Sequence, residues 1–167
     1  RIAGNEALFV DKMNEKARAL GANNTLYSNC TGLPKDPQYS CAKDVAVILK
    51  NLLKHEKYYE YGSVWMDNFK HPKGRHTEIT NTNKLIRFYD GCDGGKTGFT
   101  NEAGHCITVA AKKGDLQPIA VIIGASNSQT RFNESSALLD YACQNFENRL
   151  VVDASKPLQT VKLNNAV

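Results

Sequence analysis

Residues 105–124 read HCITVAAKKGDLQPIAVIIG, and this stretch carries the pattern from which the fold class is predicted. Apolar and polar side chains alternate over 105–112, which predicts a strand with one buried face. Gly114-Asp115 predicts a tight hairpin turn, and the apolar run within 117–124 predicts a second, buried strand. Because two adjacent strands joined by a tight turn must be antiparallel, the sequence predicts an antiparallel sheet.

Three amphipathic segments around this hairpin predict helices. The first begins after an N-cap at Asn5 and ends before Gly21, which suits the residue after a helix because it has no side chain. A polar loop over 22–39 follows. The second helix is capped by Ser40 and repeats apolar residues at helical spacing. The last helix is capped by Thr130.

The sequence between the second helix and the hairpin is less regular. Residues 55–76 are aromatic and basic and have no clean period, so they predict a loop with one short turn at most. Weak alternation over 77–82 and the Gly-rich stretch 91–100 predict extended segments. The order helix, helix, strand, strand, strand, helix predicts an α/β fold of the α+β type, with helices layered on an antiparallel sheet.

Length and charge exclude several classes of protein. The chain has 167 residues, of which 41% are hydrophobic and 23% are charged, which fits one soluble domain or one domain plus a short piece of another. The net charge is +4 and the basic residues are scattered, so we predict no nucleic-acid partner. The longest apolar run, 119–123, is too short to cross a bilayer.

Cysteine and histidine spacing does not predict a metal site. The five cysteines include no CxxC pair, and no histidine lies at ligand spacing from them. We expect the cysteines to be free, small and mostly buried side chains. None of the four histidines lies beside a Ser and an Asp at a spacing that predicts a catalytic triad.

The stretch 93–100, DGGKTGFT, contains Lys-Thr-Gly and in this resembles one motif of the active-site serine penicillin-binding proteins and β-lactamases, whose acyl-transfer chemistry would explain its residue types. Lys96 supplies a positive charge, and the Thr97 hydroxyl can hydrogen-bond a substrate carboxylate. Gly98 has no side chain, so a peptide can lie against the strand and pair with its backbone. The N–H of Phe99 can face a developing oxyanion. A phosphate-binding loop is excluded, because no helical period follows Thr97.

Stretches from residue 4 to residue 146 resemble one family in order and spacing. The D-alanyl-D-alanine carboxypeptidases, which are low-molecular-mass penicillin-binding proteins and serine peptidases of the bacterial cell wall, share these patterns. The similar stretches are FVDKMNEKA (9–17), LG (20–21), NT (24–25), TGL (31–33), YSCAKD (39–44), DGGKTGFTNEAG (93–104), IAVIIG (119–124), Arg131, ES (134–135) and LL (138–139).

The resemblance implies a β-lactamase/transpeptidase-like domain. The family's motifs run in the order Ser-x-x-Lys, Ser-x-Asn and Lys-Thr-Gly. By this resemblance the first helix follows the Ser-x-Asn motif, so we expect the chain to begin downstream of the nucleophile. Residues 1–148 would form the C-terminal portion of the catalytic domain, whose N-terminal part is missing. Residues 149–167 would form a linker and the start of a small C-terminal β domain.

The resemblance also implies a function. It implies a serine-type D-Ala-D-Ala carboxypeptidase that cleaves the terminal D-Ala from peptidoglycan stem peptides through an acyl-enzyme, with no metal or organic cofactor. The expected partners are that stem peptide, β-lactam inhibitors and the missing N-terminal part of the same protein. The expected location is extracytoplasmic and bacterial, with membrane attachment only through an absent C-terminal segment. This location would permit a disulfide between Cys30 and Cys41, as an alternative to free thiols.

The predicted site combines catalytic residues (Lys96, Thr97 and Phe99) with substrate-binding residues (Lys96, Thr97, Gly98 and Arg131). Arg131 occupies the first turn of the last helix, where a positive charge is unfavourable with the helix dipole. The resemblance supplies a reason for it, since an Arg at this position helps to bind the free carboxylate of the peptide. The alternative is a surface Arg paired with Glu134.

Two rival interpretations concern the nucleophile and the activity. Ser40-Cys41-Ala42-Lys43 also has the spacing Ser-x-x-Lys, and Tyr27-Ser28-Asn29 imitates a Tyr-x-Asn motif, but their order is the reverse of the family's. We therefore interpret Ser40 as an N-cap and Lys43 as a solvated residue. The alternative activities are a non-catalytic module that binds peptidoglycan peptides and a β-lactamase of the same fold.

Overall fold

The computed structural model describes residues 2–152 and residue 159, and it contains one three-stranded sheet, one two-stranded sheet and helices packed on them. In chain order the elements are α1 (Glu6–Ala19), α2 (Ala42–Leu52), α3 (Glu56–Gly62), β1 (Met66–Lys70), a 3₁₀ turn (Pro72–Gly74), β2 (His76–Thr80), α4 (Leu85–Phe88), β3 (Cys92–Thr100), β4 (Gly104–Ala111), β5 (Ile119–Ala125) and α5 (Ser128–Asn145). The predicted linker and second domain, 149–167, lie outside the described residues except for 149–152 and 159.

The predicted antiparallel hairpin is confirmed. β4 pairs with β5 in antiparallel register, and Lys113 and Leu116 form a bridge around the turn at Gly114-Asp115. β3 pairs antiparallel with β4, so β3 is an edge strand in the order β3-β4-β5. Alternate β4 residues face the core under α5; the core cluster contains Leu85, Ile107, Val109, Ala111, Ala120, Phe132 and Leu139.

The start of β3 is tied to α5 by a polar contact at the margin of this core. The Tyr89 hydroxyl donates to Asp140 Oδ1 at 2.7 Å, and Lys113 Nζ lies 3.7 Å from the same oxygen. Burial and the neighbouring Asp140 carboxylate raise the pKa of Tyr89, so the phenol keeps its proton and remains a donor. This contact links the segment before β3 to the helix that packs on the sheet.

Two predicted helix caps are wrong. Asn5 does cap α1, accepting from the Leu8 N–H at 2.9 Å. The N-cap of α2, however, is Cys41, which makes no capping hydrogen bond with its side chain, because the Ser40 hydroxyl bonds instead to Thr25 Oγ1 at 2.9 Å. The N-cap of α5 is Asn127, whose side chain accepts from the N–H of Thr130.

The prediction for residues 55–76 is also wrong. This stretch contains α3, β1 and the 3₁₀ turn, and β1 pairs with β2 as a separate two-stranded antiparallel ribbon. Every residue of both strands is exposed, so no buried face imposes alternation on the sequence. The sequence pattern therefore lacked the signal by which strands are recognised.

The long loop before α2 is held by a buried carboxylate. Asp44 is 1% exposed and accepts from the Asn24 N–H at 2.7 Å and from Thr25 Oγ1 at 2.8 Å. Burial alone raises the pKa of Asp44, but these hydrogen bonds to the charged form outweigh it and lower the pKa below its ordinary value. All five cysteines are free, and Cys30 Sγ contacts Glu6 Oε1 at 3.4 Å instead of bonding to Cys41.

None of the described helices is long and apolar enough to span a bilayer.

Candidate active site

The structure places the four predicted residues of the Lys-Thr-Gly stretch consecutively on β3, at the edge of the sheet. Two glycines with positive φ, Gly94 at 126° and Gly95 at 132°, precede them. A Cβ on Gly95 would lie 2.1 Å from the carbonyl oxygen of Thr108, so only glycine permits this approach of β3 to β4. The glycine pair, with a register shift between Cys92 and Gly94, determines how the strand enters the site.

Lys96 is exposed, and its ammonium group is held beside its own strand. Lys96 Nζ donates to the carbonyl oxygen of Thr97 at 2.6 Å. This contact confines the charge to the neighbourhood of the Thr97–Gly98 peptide. A positive charge placed in this way can stabilise negative charge on a carboxylate or on an oxyanion.

Thr97 is nearly buried, with 7% of its surface exposed, and its hydroxyl has a side-chain partner. Its Oγ1 lies 2.7 Å from Oγ1 of Thr82, a residue that follows β2. Thr82 cannot be predicted from the sequence, because nothing in the spacing of two threonines fifteen residues apart indicates their contact.

Gly98 and Phe99 leave the strand open to a ligand. A Cβ built on Gly98 would meet no atom within 4 Å, so the missing side chain is not required by packing within the described part of the chain. The Phe99 side chain is 57% exposed, and its ring lies 4.4 Å from the His105 ring, centroid to centroid. Backbone without side-chain cover at Gly98 is what a peptide needs in order to pair with the strand.

Arg131 reaches this same strand from α5. Its Nη1 donates to the carbonyl oxygens of Gly98 at 3.0 Å and Cys106 at 3.2 Å, and Nη2 donates to Ser128 Oγ at 3.2 Å. The side chain is 8% exposed, and burial lowers the pKa of the guanidinium, which nevertheless stays charged at neutral pH. Arg131 therefore links the first turn of α5 to both strands at the site.

The alternative interpretation of Arg131 as a surface residue paired with Glu134 is wrong. The guanidinium is buried, Glu134 is exposed, and the ion pairs formed by the described residues do not include this one. Both Nη1 protons are used by the two backbone carbonyls. One Nη2 proton and the Nε proton remain, and Nε is buried with no partner among the described side chains and backbone groups.

An apolar cavity of about 330 Å³ opens beside Lys96, on the side of α2. It is lined mainly by apolar residues of α2, with Tyr27, Tyr58, Gly95 and Thr108 around them. The Tyr58 hydroxyl is buried there without a partner among the described groups, and burial raises its pKa. A larger cavity of about 550 Å³ lies where the end of β3 meets the loop before α2, lined in part by Thr100 and Glu102.

The described residues contain no group of three or more His, Cys, Asp and Glu side chains that could hold a metal ion.

Comparison with known proteins identifies the family. The family profile for D-alanyl-D-alanine carboxypeptidases matches residues 1–127. The chain belongs to this family. D-alanyl-D-alanine carboxypeptidase DacF of Bacillus subtilis is 40% identical over 162 residues, which cover 97% of this chain and 42% of the relative. The chain thus spans about two fifths of the length of that relative.

Solved structures of a D-alanyl-D-alanine carboxypeptidase and of a DD-transpeptidase have the same fold. D-alanyl-D-alanine carboxypeptidase DacD from Francisella tularensis superposes with a TM-score of 0.82 at 30% identity, covering 94% of this chain and 50% of that one. A Streptomyces DD-transpeptidase superposes with a TM-score of 0.77 at 25% identity, covering 83% of this chain and 55% of that one. The predicted transpeptidase-like fold, with helices and an antiparallel sheet, is confirmed.

Proposed function

We propose that this chain forms one wall of the active site of a serine-type D-Ala-D-Ala carboxypeptidase. The observation that carries the proposal is β3, an edge strand that presents an ammonium group at Lys96, a hydroxyl at Thr97 and open backbone at Gly98. Membership of the D-alanyl-D-alanine carboxypeptidase family supplies the substrate class, a peptidoglycan stem peptide ending in D-Ala-D-Ala.

The proposed reaction is acyl transfer in two steps. A serine hydroxyl attacks the carbonyl carbon of the penultimate D-Ala, and an ester bond forms as the peptide bond to the terminal D-Ala breaks. The leaving amine takes up the proton that the serine loses. Water then hydrolyses the ester and regenerates the serine. We propose that the nucleophile belongs to the N-terminal part of the same protein, and not to Ser40, whose hydroxyl bonds to Thr25.

The residues of this chain take the supporting roles. The Phe99 N–H donates to the oxyanion that forms on the attacked carbonyl, and the Lys96 charge stabilises the same region. Gly98 lets the peptide lie against β3. The Thr97 hydroxyl and the remaining Nη2 proton of Arg131 bind the terminal carboxylate, since charged acceptors form the stronger hydrogen bonds.

The proposed partners follow from the same site. β-Lactams would acylate the same serine, because they imitate the D-Ala-D-Ala end of the peptide. The N-terminal part of the protein would pack over the apolar cavity beside Lys96 and over a second cavity of about 350 Å³ along α1, which is also lined mainly by apolar groups. We propose an extracytoplasmic location in a bacterial envelope, with any membrane attachment made by a C-terminal segment.

Lys96→Ala in the complete enzyme tests the proposal. We expect acylation by a fluorescent penicillin and by a D-Ala-D-Ala peptide to fall by about 10²–10³, the cost of losing one group that stabilises the transition state. Lys96→Arg should rescue only in part, because its charge is spread over a wider planar fork. Lys50→Ala removes an exposed lysine of α2 and is the matched control. Unchanged acylation in Lys96→Ala would show that the Lys-Thr-Gly stretch has only a structural role.

A further inference from the structure

We propose that Thr82 is a positioning residue that orients the hydroxyl of Thr97 toward the substrate carboxylate. The proposal rests on the proposed function, in which Thr97 binds that carboxylate. It is carried by the distance of 2.7 Å between the two Oγ1 atoms. Thr82 itself is not required to touch the substrate.

Counting protons gives the direction of this hydrogen bond in the working enzyme. A hydroxyl has one proton to donate and two lone pairs to accept with. A carboxylate can only accept, so Thr97 must give its single proton to the substrate. The hydrogen bond to Thr82 can then persist only if Thr82 is the donor and Thr97 the acceptor. Thr82 thereby leaves the Thr97 proton free and limits the rotation of the Thr97 hydroxyl.

The backbone around Thr82 is held in place by its asparagine neighbours. Asn81 Nδ2 donates to the carbonyl oxygen of Val64 at 3.1 Å, and Asn81 Oδ1 accepts from the Asn83 N–H at 2.9 Å. Asn83 is fully buried, and its Oδ1 accepts from the N–H of Leu85, the first residue of α4, at 3.1 Å. Thr82 is thus fixed between two anchored residues, as a positioning role requires.

Because Thr97 is buried, the orientation of its hydroxyl depends on the hydrogen bond to Thr82. Thr97 is 7% exposed, and Thr82 is the side-chain partner that restrains its hydroxyl. Without the Thr82 donor, the Thr97 hydroxyl is free to rotate away from the carboxylate. The effect should therefore depend on the substrate, appearing when a free carboxylate is bound and disappearing when the terminus is an uncharged amide.

The test compares Thr82→Val with Thr82→Ser in the complete enzyme. Valine keeps the branched shape of threonine without a hydroxyl, and serine keeps the hydroxyl. We expect Thr82→Val to lower kcat/KM for a D-Ala-D-Ala peptide by about 2- to 12-fold, the range for one neutral hydrogen bond. The loss should lie mainly in KM, should be absent for the peptide with an amidated terminus, and should be largely restored in Thr82→Ser. Thr80→Val, on the exposed strand β2, makes the same chemical change nearby and should have no effect.

A double-mutant cycle with Thr97→Val separates this inference from the proposed function. If Thr82 acts through Thr97, then Thr82→Val costs nothing further once Thr97 is valine. A loss in Thr97→Val without any loss in Thr82→Val would overturn the positioning role and leave the proposed function standing. An equal loss from Thr82→Val in both backgrounds, or equal losses on the acid and the amide, would show a structural effect only. No loss in Thr97→Val would overturn the proposed role of Thr97 and the inference together.

Discussion

Replacing Arg131 by alanine should impair acylation of every substrate, including substrates without a terminal carboxylate. Arg131 Nη1 holds the carbonyl oxygen of Gly98 at 3.0 Å. That carbonyl and the N–H of Phe99 belong to one planar trans peptide unit and point in opposite directions. The guanidinium therefore also determines where the proposed oxyanion donor points.

The contacts of the Arg131 guanidinium determine how much stability and activity Arg131→Ala should lose. Alanine at position 131 removes three hydrogen bonds. The carbonyl oxygens of Gly98 and Cys106 each lose a charged donor. A hydrogen bond to a charged group contributes about 1.5–3 kcal/mol, so loss of the two contacts with strand carbonyls costs at most about 3–6 kcal/mol in the free energy of unfolding. A misplacement of the reacting groups by about 1 Å reduces the rate by about 10². Loss of the contact with the substrate carboxylate should lower kcat/KM by a further factor of about 10 to 150, and only for the peptide with a free acid terminus.

The assay measures kcat/KM for a D-Ala-D-Ala peptide and for its terminal amide, together with thermal unfolding. We expect Arg131→Ala to lose about 10² on the amide and roughly 10³–10⁴ on the acid. Arg131→Lys keeps the charge but loses the planar fork, so it should restore folding better than activity. Glu134→Ala should change neither quantity, because Glu134 is exposed and does not pair with Arg131.

One result would contradict the role of Arg131 in orienting the Gly98–Phe99 peptide unit. If Arg131→Lys folds normally and reacts with the amide as the wild type does, then the contact with Gly98 does not orient the Phe99 N–H. A ratio of acid to amide reactivity that stays unchanged in both variants would instead remove Arg131 from the carboxylate site. The two roles are therefore tested separately by the same measurements.

Three further predictions concern the nucleophile, the thiols and the buried carboxylate. The isolated 167-residue chain should form no adduct with a fluorescent penicillin, and labelling that vanishes in Ser40→Ala would overturn the placement of the nucleophile. Titration of the unfolded, unreduced chain should find five free thiols, and three would indicate a disulfide. The pKa of Asp44 is lowered in the folded state, so it stabilises the fold above the ordinary Asp pKa of about 4, and this contribution is lost as pH falls below it. The free energy of unfolding should therefore depend less on acid pH in Asp44→Asn than in the wild type, and equal slopes would contradict this.

The sequence predicted those parts of the fold in which burial leaves a periodic pattern. The hairpin of β4 and β5 has one face in the core, so apolar and polar residues alternate along its sequence and indicate the strands. The ribbon of β1 and β2 is exposed on both faces, so its sequence has no alternation of apolar and polar residues that would indicate strands. The prediction of Ser40 as an N-cap was wrong for a different reason: its hydroxyl bonds to Thr25, and local helix preferences contain no information about a contact between residues distant in the sequence.

The site was predictable where it is continuous in the sequence. Lys96, Thr97, Gly98 and Phe99 are consecutive, so their residue types alone indicate a candidate site. Arg131 was found because its position conflicts with the helix dipole, and the structure supplies a structural reason in its contacts with two strand carbonyls. No sequence pattern indicates Thr82, because what sets it apart from other threonines is a contact with Thr97 that forms only on folding.

The same residues that equip β3 for binding also protect it from unwanted pairing. An edge strand carries unpaired backbone groups that invite association with other chains, and proteins counter this with lysine side chains, bulges and irregular backbone. β3 has all three: Lys96 occupies the carbonyl oxygen of Thr97, a register shift follows Cys92, and Gly94 and Gly95 have positive φ. A peptide that paired with β3 at Thr97 would therefore compete with Lys96 for this carbonyl oxygen. An ammonium group has three donors, so Lys96 can hold the carbonyl oxygen of Thr97 with one of them and keep the other two and its charge for a ligand.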